Sequence, residues 1–477
     1  MIPVTTLFLI IFLEGYVVLS SELLAMRLLI PFTGSGTDTV SIIIAAVLLP
    51  LAFGYYSGGN FKPKRTGKKT PITVRNRLIA NLVTASIILS VGLSYAFLDK
   101  SFDFLQKEMG WHNRILLTSL YSILFLVYPV FLLGQTVPLI SNYFSRERLS
   151  LIAGRMLFFS TLGSFMGAVF CTLVLMAFLG VHNTVIITIG CMTLLTFILS
   201  KKWLTPMTGL ATISLLIAIL FNSGYAMHKM NVVSNNKYSI VQIVDHNDHG
   251  LRALMLNRSF ASVKYQHSDE PYSDYAIFIE ENFIAPTQSL QEKKSILVLG
   301  AGGFIIGLTD DKNDYTYVDI DGALKDISEE YFLGQDLGPN KKFVAMDARA
   351  YLIQTQEKFD LIVLDLFRDP TSVPENMATQ EFFKSVHDRM EEDGVMVANY
   401  WASANFTDAY SQNLDHTMRS IFPTLNRQII KNFNVWKREN DWSNIIYSYV
   451  RHKDSSAVIY TDDKNRILYD KPATLPH

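Results

Sequence analysis

The sequence predicts a multi-helix transmembrane bundle of about seven spans, then an α/β domain on a doubly wound parallel sheet with a small β-hairpin module at its start. Three observations predict it. Long uncharged runs crowd into residues 1–225, a strand-like pair around a turn opens the second half, and strand and helix signals then alternate. The 477 residues are 49% hydrophobic and 18% charged, yet almost all the long apolar runs precede residue 226. The chain therefore divides into 1–225, 226–290 and 291–477. A formal net charge of -1 argues against a nucleic-acid partner. The two cysteines, Cys171 and Cys191, both sit in apolar runs, which leaves neither a disulfide framework nor a thiolate metal site.

A helical span needs about 20 mostly apolar residues. Seven stretches qualify: about 3–30, 39–58, 78–98, 115–140, 154–179, 181–200 and 207–224. The first carries Glu14, Glu22 and Arg27 and lacks a basic start and a small-residue cleavage site, so it is expected to be a retained helix and not a signal peptide. Basic residues in short loops set orientation. The loop at 59–77 holds Lys62, Lys64, Arg65, Lys68, Lys69, Arg75 and Arg77; Arg146, Arg148 and Arg155 cluster two loops later, and Lys201 and Lys202 two loops after that. These loops, and the N-terminus with them, are expected to face the cytoplasm.

Polar residues inside spans are costly and informative. Glu14 and Glu22 lie eight apart on one face of the first span, Asn81 begins the third, and Gln135 sits between Pro129 and Pro138 on the fourth. Two readings stay open for the first span: a polar pocket or amine pathway, or an internal ion pair of Glu22 with Arg27 or with Arg155. The run Gly163, Ser164, Gly167, Ala168 spaces small residues by four and predicts close helix packing without chemistry.

The second half opens with strand signals at 238–244 and 251–256 around the turn Asn247-Asp248-His249-Gly250. After Pro286 follow a strand at 295–299, a glycine turn and helix, a strand at 315–320, a helix near 322–331, a strand at 342–346, a short helix, and a strand at 361–364. The turn Gly300-Ala301-Gly302-Gly303 directly follows an apolar strand, where glycine lets backbone approach a ligand. Asp319 and Asp321 end the next strand, placed for a carboxylate to grip ribose hydroxyls, and Asp347-Ala348 follows the third, where an aspartate can accept from an adenine amino group. Together they predict a nucleoside site; the alternative is a structural turn with strand-end aspartates as helix caps. Asp365 ends the fourth strand, beside the reactive end of a bound nucleoside, where it could hold a cationic amine and take its proton. Asp360 belongs at that strand's start with a structural role. Asp369, followed by Pro370, is read equally as an assistant to Asp365 or as a turn residue.

These residues resemble the spermidine synthase (polyamine aminopropyltransferase) family, and the whole chain resembles its membrane-integral branch. The likeness runs from Tyr238 to about Trp401, through the glycine turn, Tyr317 to Asp321, Asp347-Ala348, Asp365, and Val373 to Phe383 with Gly394; Glu14-Gly15 and Ser21 to Arg27 resemble the start of membrane-integral members. The resemblance implies a Rossmann-like, methyltransferase-type fold and aminopropyl transfer from decarboxylated S-adenosylmethionine to putrescine or a related amine. By resemblance Asp319 holds the ribose, Asp347 with Ala348 contacts adenine, Gly300 and Gly302 shape the nucleoside turn, and Asp365 deprotonates the amine. Tyr272 and Asp274 match residues near the amine, with Asp in place of the usual Glu. No prosthetic group, metal or redox cofactor is expected, because the sulfonium is already a good leaving group. A homodimer is left open.

The chain departs from soluble members where Gly303 replaces an aspartate of the turn, where Ser239 replaces a glutamine, and where Arg368 enters a stretched Asp365–Asp369 spacing. An amine other than putrescine, or a donor that keeps its carboxylate, is then compatible. So are two other classes: a further S-adenosylmethionine-dependent alkyl or methyl transfer, and a non-catalytic nucleoside-binding transporter or sensor. Seven spans from a cytoplasmic N-terminus would put the second half outside; the supply of donor puts it inside. The expectation from that chemistry is an integral protein of the cell (inner) membrane with a cytoplasmic catalytic domain.

Overall fold

The computed structural model describes residues 3–62, 73–144, 149–366, 373–430 and 442–451. Among them six helices are long and apolar enough to cross a membrane. They are α1 (Val4–Thr33), α2 (Thr37–Gly59), α3 (Val74–Gly92), α5 (Arg114–Ser141), α6 (Ser150–Leu199) and α7 (Pro206–Lys229), with the shorter α4 (Tyr95–Asp103) after α3. Fifty residues of straight α6 would run about 75 Å, more than twice a bilayer core of about 30 Å. Gly180 breaks it, with φ 80° and ψ 163°, between the stretches 154–179 and 181–200.

Helix α1 runs through the middle of the bundle. Gly163 and Gly167 of α6 lie against the carbonyls of Phe12 and Tyr16, so close that a Cβ at Gly167 would sit 2.5 Å from the Tyr16 oxygen. The small-residue run thus does what its spacing predicts: it lets two backbones touch. Gln135, where α5 kinks between its two prolines, accepts hydrogen bonds at Oε1 from Asn81 Nδ2 (2.9 Å) and Arg77 Nε (3.2 Å), which satisfies a polar group that lipid would not. Arg75 Nε donates to the Leu199 carbonyl, so the start of α3 and the end of α6 lie at one end of the bundle.

The rest of the chain docks at the other end. Strands β1 (Val232–Asn235), β2 (Ile240–His246), β3 (Leu251–Leu256) and β4 (Ser259–Tyr265) form an antiparallel sheet in that order. Two of these were expected from alternation; β1 and β4 are additions. Asn257 and Arg258 join β3 to β4 with φ of 48° and 69°, the mirror-image turn that suits a twisted hairpin. That turn thrusts Arg258 into the bundle, where it pairs with Asp99 (2.7 Å) and Asp103 of α4 and lies 4.8 Å from the centre of the Phe32 ring.

A second sheet has seven strands: β5 (Ser295–Leu299), β6 (Asp314–Asp319), β7 (Lys341–Ala345), β8 (Phe359–Leu364), β9 (Met390–Ser403), β10 (Asn426–Ile430) and β11 (Trp442–Val450). Their order is β10-β11-β9-β8-β5-β6-β7; β5 to β9 run parallel, β11 is antiparallel to β9, and β10 is antiparallel to β11. Leu297, Leu299, Ile362 and Leu364 fill the core on one face and Ile296, Val298, Leu361 and Val363 the core on the other, which is why these strands are unbroken apolar runs. From β5 the chain moves outward through β6 and β7, then returns to β8 on the other side of β5. Ligands of such sheets bind at this reversal, beyond the carboxyl ends of the strands.

One expected element is missing. Residues 300–313 hold turns and no helix. Positive φ at Gly300, Gly302, Phe304 and Gly307 keeps the segment from winding, and outside partners take its backbone groups: the Glu280 carboxylate accepts from Gly307 N–H, and the Tyr317 hydroxyl donates to the Ile306 carbonyl at 2.7 Å. Short helices α8 (Asp274–Ile279), α9 (Leu324–Ile327) and α10 (Ala348–Gln354), with α11 (Gln380–Asp388) and α12 (Ala409–Arg419), accompany the sheet.

Candidate active site

The site is built where β5, β6 and β8 end. Gly300 has φ 91°, its N–H donates to the Val318 carbonyl at 2.9 Å, and a Cβ there would overlap the Asp365 carbonyl oxygen. Asp365 N–H in turn donates to the Leu299 carbonyl at 2.8 Å. The glycine turn and Asp365 are therefore held in backbone contact, a closeness only glycine permits.

Asp365 receives Tyr275 Oη–H on Oδ2 (3.1 Å) and Asn399 Nδ2–H on Oδ1 (3.0 Å); Asn444 Nδ2 donates to Asn399 Oδ1 at 3.0 Å and so fixes which way that amide faces. Burial pushes the Asp365 carboxyl up to about 6, and the two hydrogen bonds pull against it. Burial also raises the Tyr275 hydroxyl far above its ordinary range, with the neighbouring Asp365 adding to the effect. The result is an enclosed carboxylate close to the switching point of neutral pH, supported from both sides.

Sequence reasoning missed Tyr275, Asn399 and Asn444. It chose Tyr272, which is 39% exposed, packs edge-on against Tyr265 at 5.5 Å, and donates its backbone N–H to Val263. Asp274 opens α8, and the next residue, Tyr275, is the one that reaches Asp365. The available signals were the second tyrosine of Tyr272-Ser273-Asp274-Tyr275 and the lone amide in the apolar run Val395 to Tyr400.

At the end of β6, Asp319 accepts from Ala301 N–H (3.1 Å) and Asp321 N–H (3.0 Å), and burial lifts its carboxyl to about 6 against those bonds. Asp321 is committed elsewhere: its oxygens take Asn236 Nδ2 (2.8 and 3.0 Å) and Ser239 Oγ (2.6 Å), and it is 3% exposed. The two aspartates that look like a pair in sequence thus have different partners: Asp319 takes backbone N–H groups of the glycine turn and of Asp321, and Asp321 is tied to Asn236 and Ser239. Asp347 caps α10, Oδ1 accepting from Ala350 N–H at 2.9 Å, with Ala348 buried behind it. Gly302 has φ 50° and would bring a Cβ to 3.0 Å from Ser262 Oγ. Gly303 N–H donates to Ser262 Oγ at 2.8 Å, and the Phe332 ring fills the space a side chain would need. The acidic residue of the soluble pattern has no room here. Asp360, at the amino end of β8, binds Lys294 (3.0 Å) and the Ser295 N–H (2.8 Å), away from the site. Asp369 and Arg368 lie outside the described residues.

Residues 278–431 match the family described as Spermine/spermidine synthase domain. A polyamine aminopropyltransferase of Pyrobaculum neutrophilum is 28% identical over 219 residues, 43% of this chain and 69% of that protein. One of Pyrobaculum aerophilum is 29% identical over 224 residues, 44% and 71%. The crystal structure of a probable spermidine synthase from Corynebacterium glutamicum aligns with a TM-score of 0.38 at 22% identity, over 45% of this chain and 77% of that one. The matched segment, a spermine/spermidine synthase domain by this comparison, carries Gly300, Asp319, Asp347 and Asp365.

Proposed function

We propose that the protein is a membrane-embedded polyamine aminopropyltransferase, moving the aminopropyl group of decarboxylated S-adenosylmethionine to putrescine or a related amine. The observation that carries this reading is Asp365: a carboxylate raised to about 6, braced by Tyr275 and Asn399, at the strand reversal beside the glycine turn. An acceptor ammonium pairs with Asp365 and gives it a proton; the freed amine attacks the carbon next to the sulfonium. A C–N bond forms, the C–S bond breaks with its electron pair going to sulfur, and methylthioadenosine leaves as a neutral thioether. The enzyme supplies orientation and charge.

In this reading Asp319 takes the ribose hydroxyls and Asp347 with Ala348 the adenine, while Gly300 and Gly302 bring backbone to the nucleoside. Tyr272, Asp274 and Asp369 border the amine. No acidic side chain fits at Gly303, where the soluble pattern carries an aspartate. A donor that keeps its carboxylate is the second candidate on this ground.

Mass spectrometry of detergent-purified protein with decarboxylated or intact S-adenosylmethionine and putrescine tests the reading. Spermidine and methylthioadenosine are expected, falling about 10²- to 10⁴-fold in Asp365→Asn. S-adenosylhomocysteine as the product would replace aminopropyl transfer with methyl transfer, and binding without turnover would leave a transport or sensing role.

A further inference from the structure

The donor site is joined to the helical bundle by a continuous run of hydrogen bonds. Arg27, on α1 and 5% exposed, donates Nε–H to the Asn236 carbonyl at 2.8 Å. Asn236 uses its whole side chain locally: Oδ1 accepts from Tyr238 N–H (2.7 Å) and Ser239 N–H (3.1 Å), and Nδ2 donates to both Asp321 oxygens. The Asp321 backbone N–H then holds Asp319 Oδ1 at 3.0 Å, and its Oδ1 caps the following turn through Ala323 N–H at 3.2 Å. The links from Arg27 to Asn236, to Asp321 and to Asp319 join buried or half-buried groups, and bonds to the charged ends are the strong ones.

We propose that Arg27 is a positioning residue of the donor site. By anchoring Asn236 it sets Asp321, and Asp321 sets the carboxylate of Asp319 that meets the ribose, so α1 is part of the donor-binding machinery as well as an anchor. The inference rests on the reading that Asp319 holds the nucleoside. The Asp321 carboxylate, which joins Asn236 to the residue that holds Asp319, is clamped by three hydrogen bonds from Asn236 and Ser239. By linkage, whatever tilts or shifts α1 changes donor affinity, and donor binding biases α1 by the same free energy.

Arg258 provides the internal control. It ties the same two parts together through Asp99 and Asp103, but from the hairpin tip and without touching this run. Methylthioadenosine binding to full-length protein in nanodiscs, measured by calorimetry, tests the inference. Arg27→Ala and Asn236→Ala are each expected to weaken binding about tenfold, Arg27→Lys to recover part of it, and Arg258→Ala to stay within twofold. In turnover the donor KM should rise by a similar factor, with kcat and the amine KM within twofold. If Arg27→Ala does not fold, Asn236→Ala decides, since it cuts the run outside the bundle. Wild-type affinity in folded Asn236→Ala overturns the inference, as does an equal loss in Arg258→Ala, which would show general undocking. Absence of any binding by the wild type would overturn the donor-site reading and this inference with it.

Discussion

Asp365 and Asp319 are both held near 6, so at neutral pH each is ionised in an environment that disfavours the charge. At these two positions the folded protein binds protons more tightly than the unfolded chain, and their contribution to stability falls as pH rises from about 4 to about 6. Thermal melting of the ligand-free protein should therefore rise on acidification from pH 7 to 5. Asp365→Asn should melt higher than wild type at pH 7.5 while losing activity; a lower melting point would show that the carboxylate is stabilising and the burial argument wrong. The acid limb of kcat/KM is expected near pH 6, because the base must be ionised to act. Tyr275→Phe and Asn399→Ala each remove a hydrogen bond to the charged form, so each should move that limb to higher pH. A limb that stays in place would exclude Asp365 as the titrating base.

At the scale of elements the glycine turn shows how sequence and structure part. Its position between β5 and β6 was legible, because an apolar strand followed by closely spaced glycines has few other uses, and the strand starts and ends agree to within two residues of those expected. The helix after it was not legible: Phe304 to Leu308 is apolar enough to wind, and only the tertiary partners Glu280 and Tyr317, distant in sequence, take the backbone groups that a helix would have satisfied internally. Asn399 and Tyr275 were hidden for the same reason, since a strand amide and a helix tyrosine acquire meaning only when β8 lies between them and the turn. Gly303 supplies the prediction at this scale. Restoring the acidic residue of soluble members, Gly303→Asp, drives a side chain into the Phe332 ring, and overpacking of this kind costs about 1–3 kcal/mol. The variant should melt lower and gain no activity. A Gly303→Asp protein that is as stable as wild type and more active would show that the pocket is roomier than the packing implies.

Across the whole molecule the distribution of charge bears on sidedness. Lys62, Arg75, Arg77, Lys201 and Lys202 gather at one end of the bundle, where Arg75 reaches the Leu199 carbonyl. The synthase domain meets the opposite end, through Arg27 with Asn236 and Arg258 with Asp99 and Asp103. Basic loops stay on the cytoplasmic side because translocating them is costly, and α6, divided at Gly180, is long enough for two crossings, which would make seven among the described residues. With the basic end cytoplasmic, an odd number of crossings would place the domain away from the cytoplasm, while donor supply would place it inside. On the odd count, donor and amine would reach it from the far side or through the bundle. Alkaline phosphatase fused after His477 should then be active and a fluorescent protein fused there dark, with the pattern reversed for fusions at Lys62. A bright fluorescent fusion after His477 would return the domain to the cytoplasm and leave the basic cluster as a feature of the bundle's far face, with no part in topology.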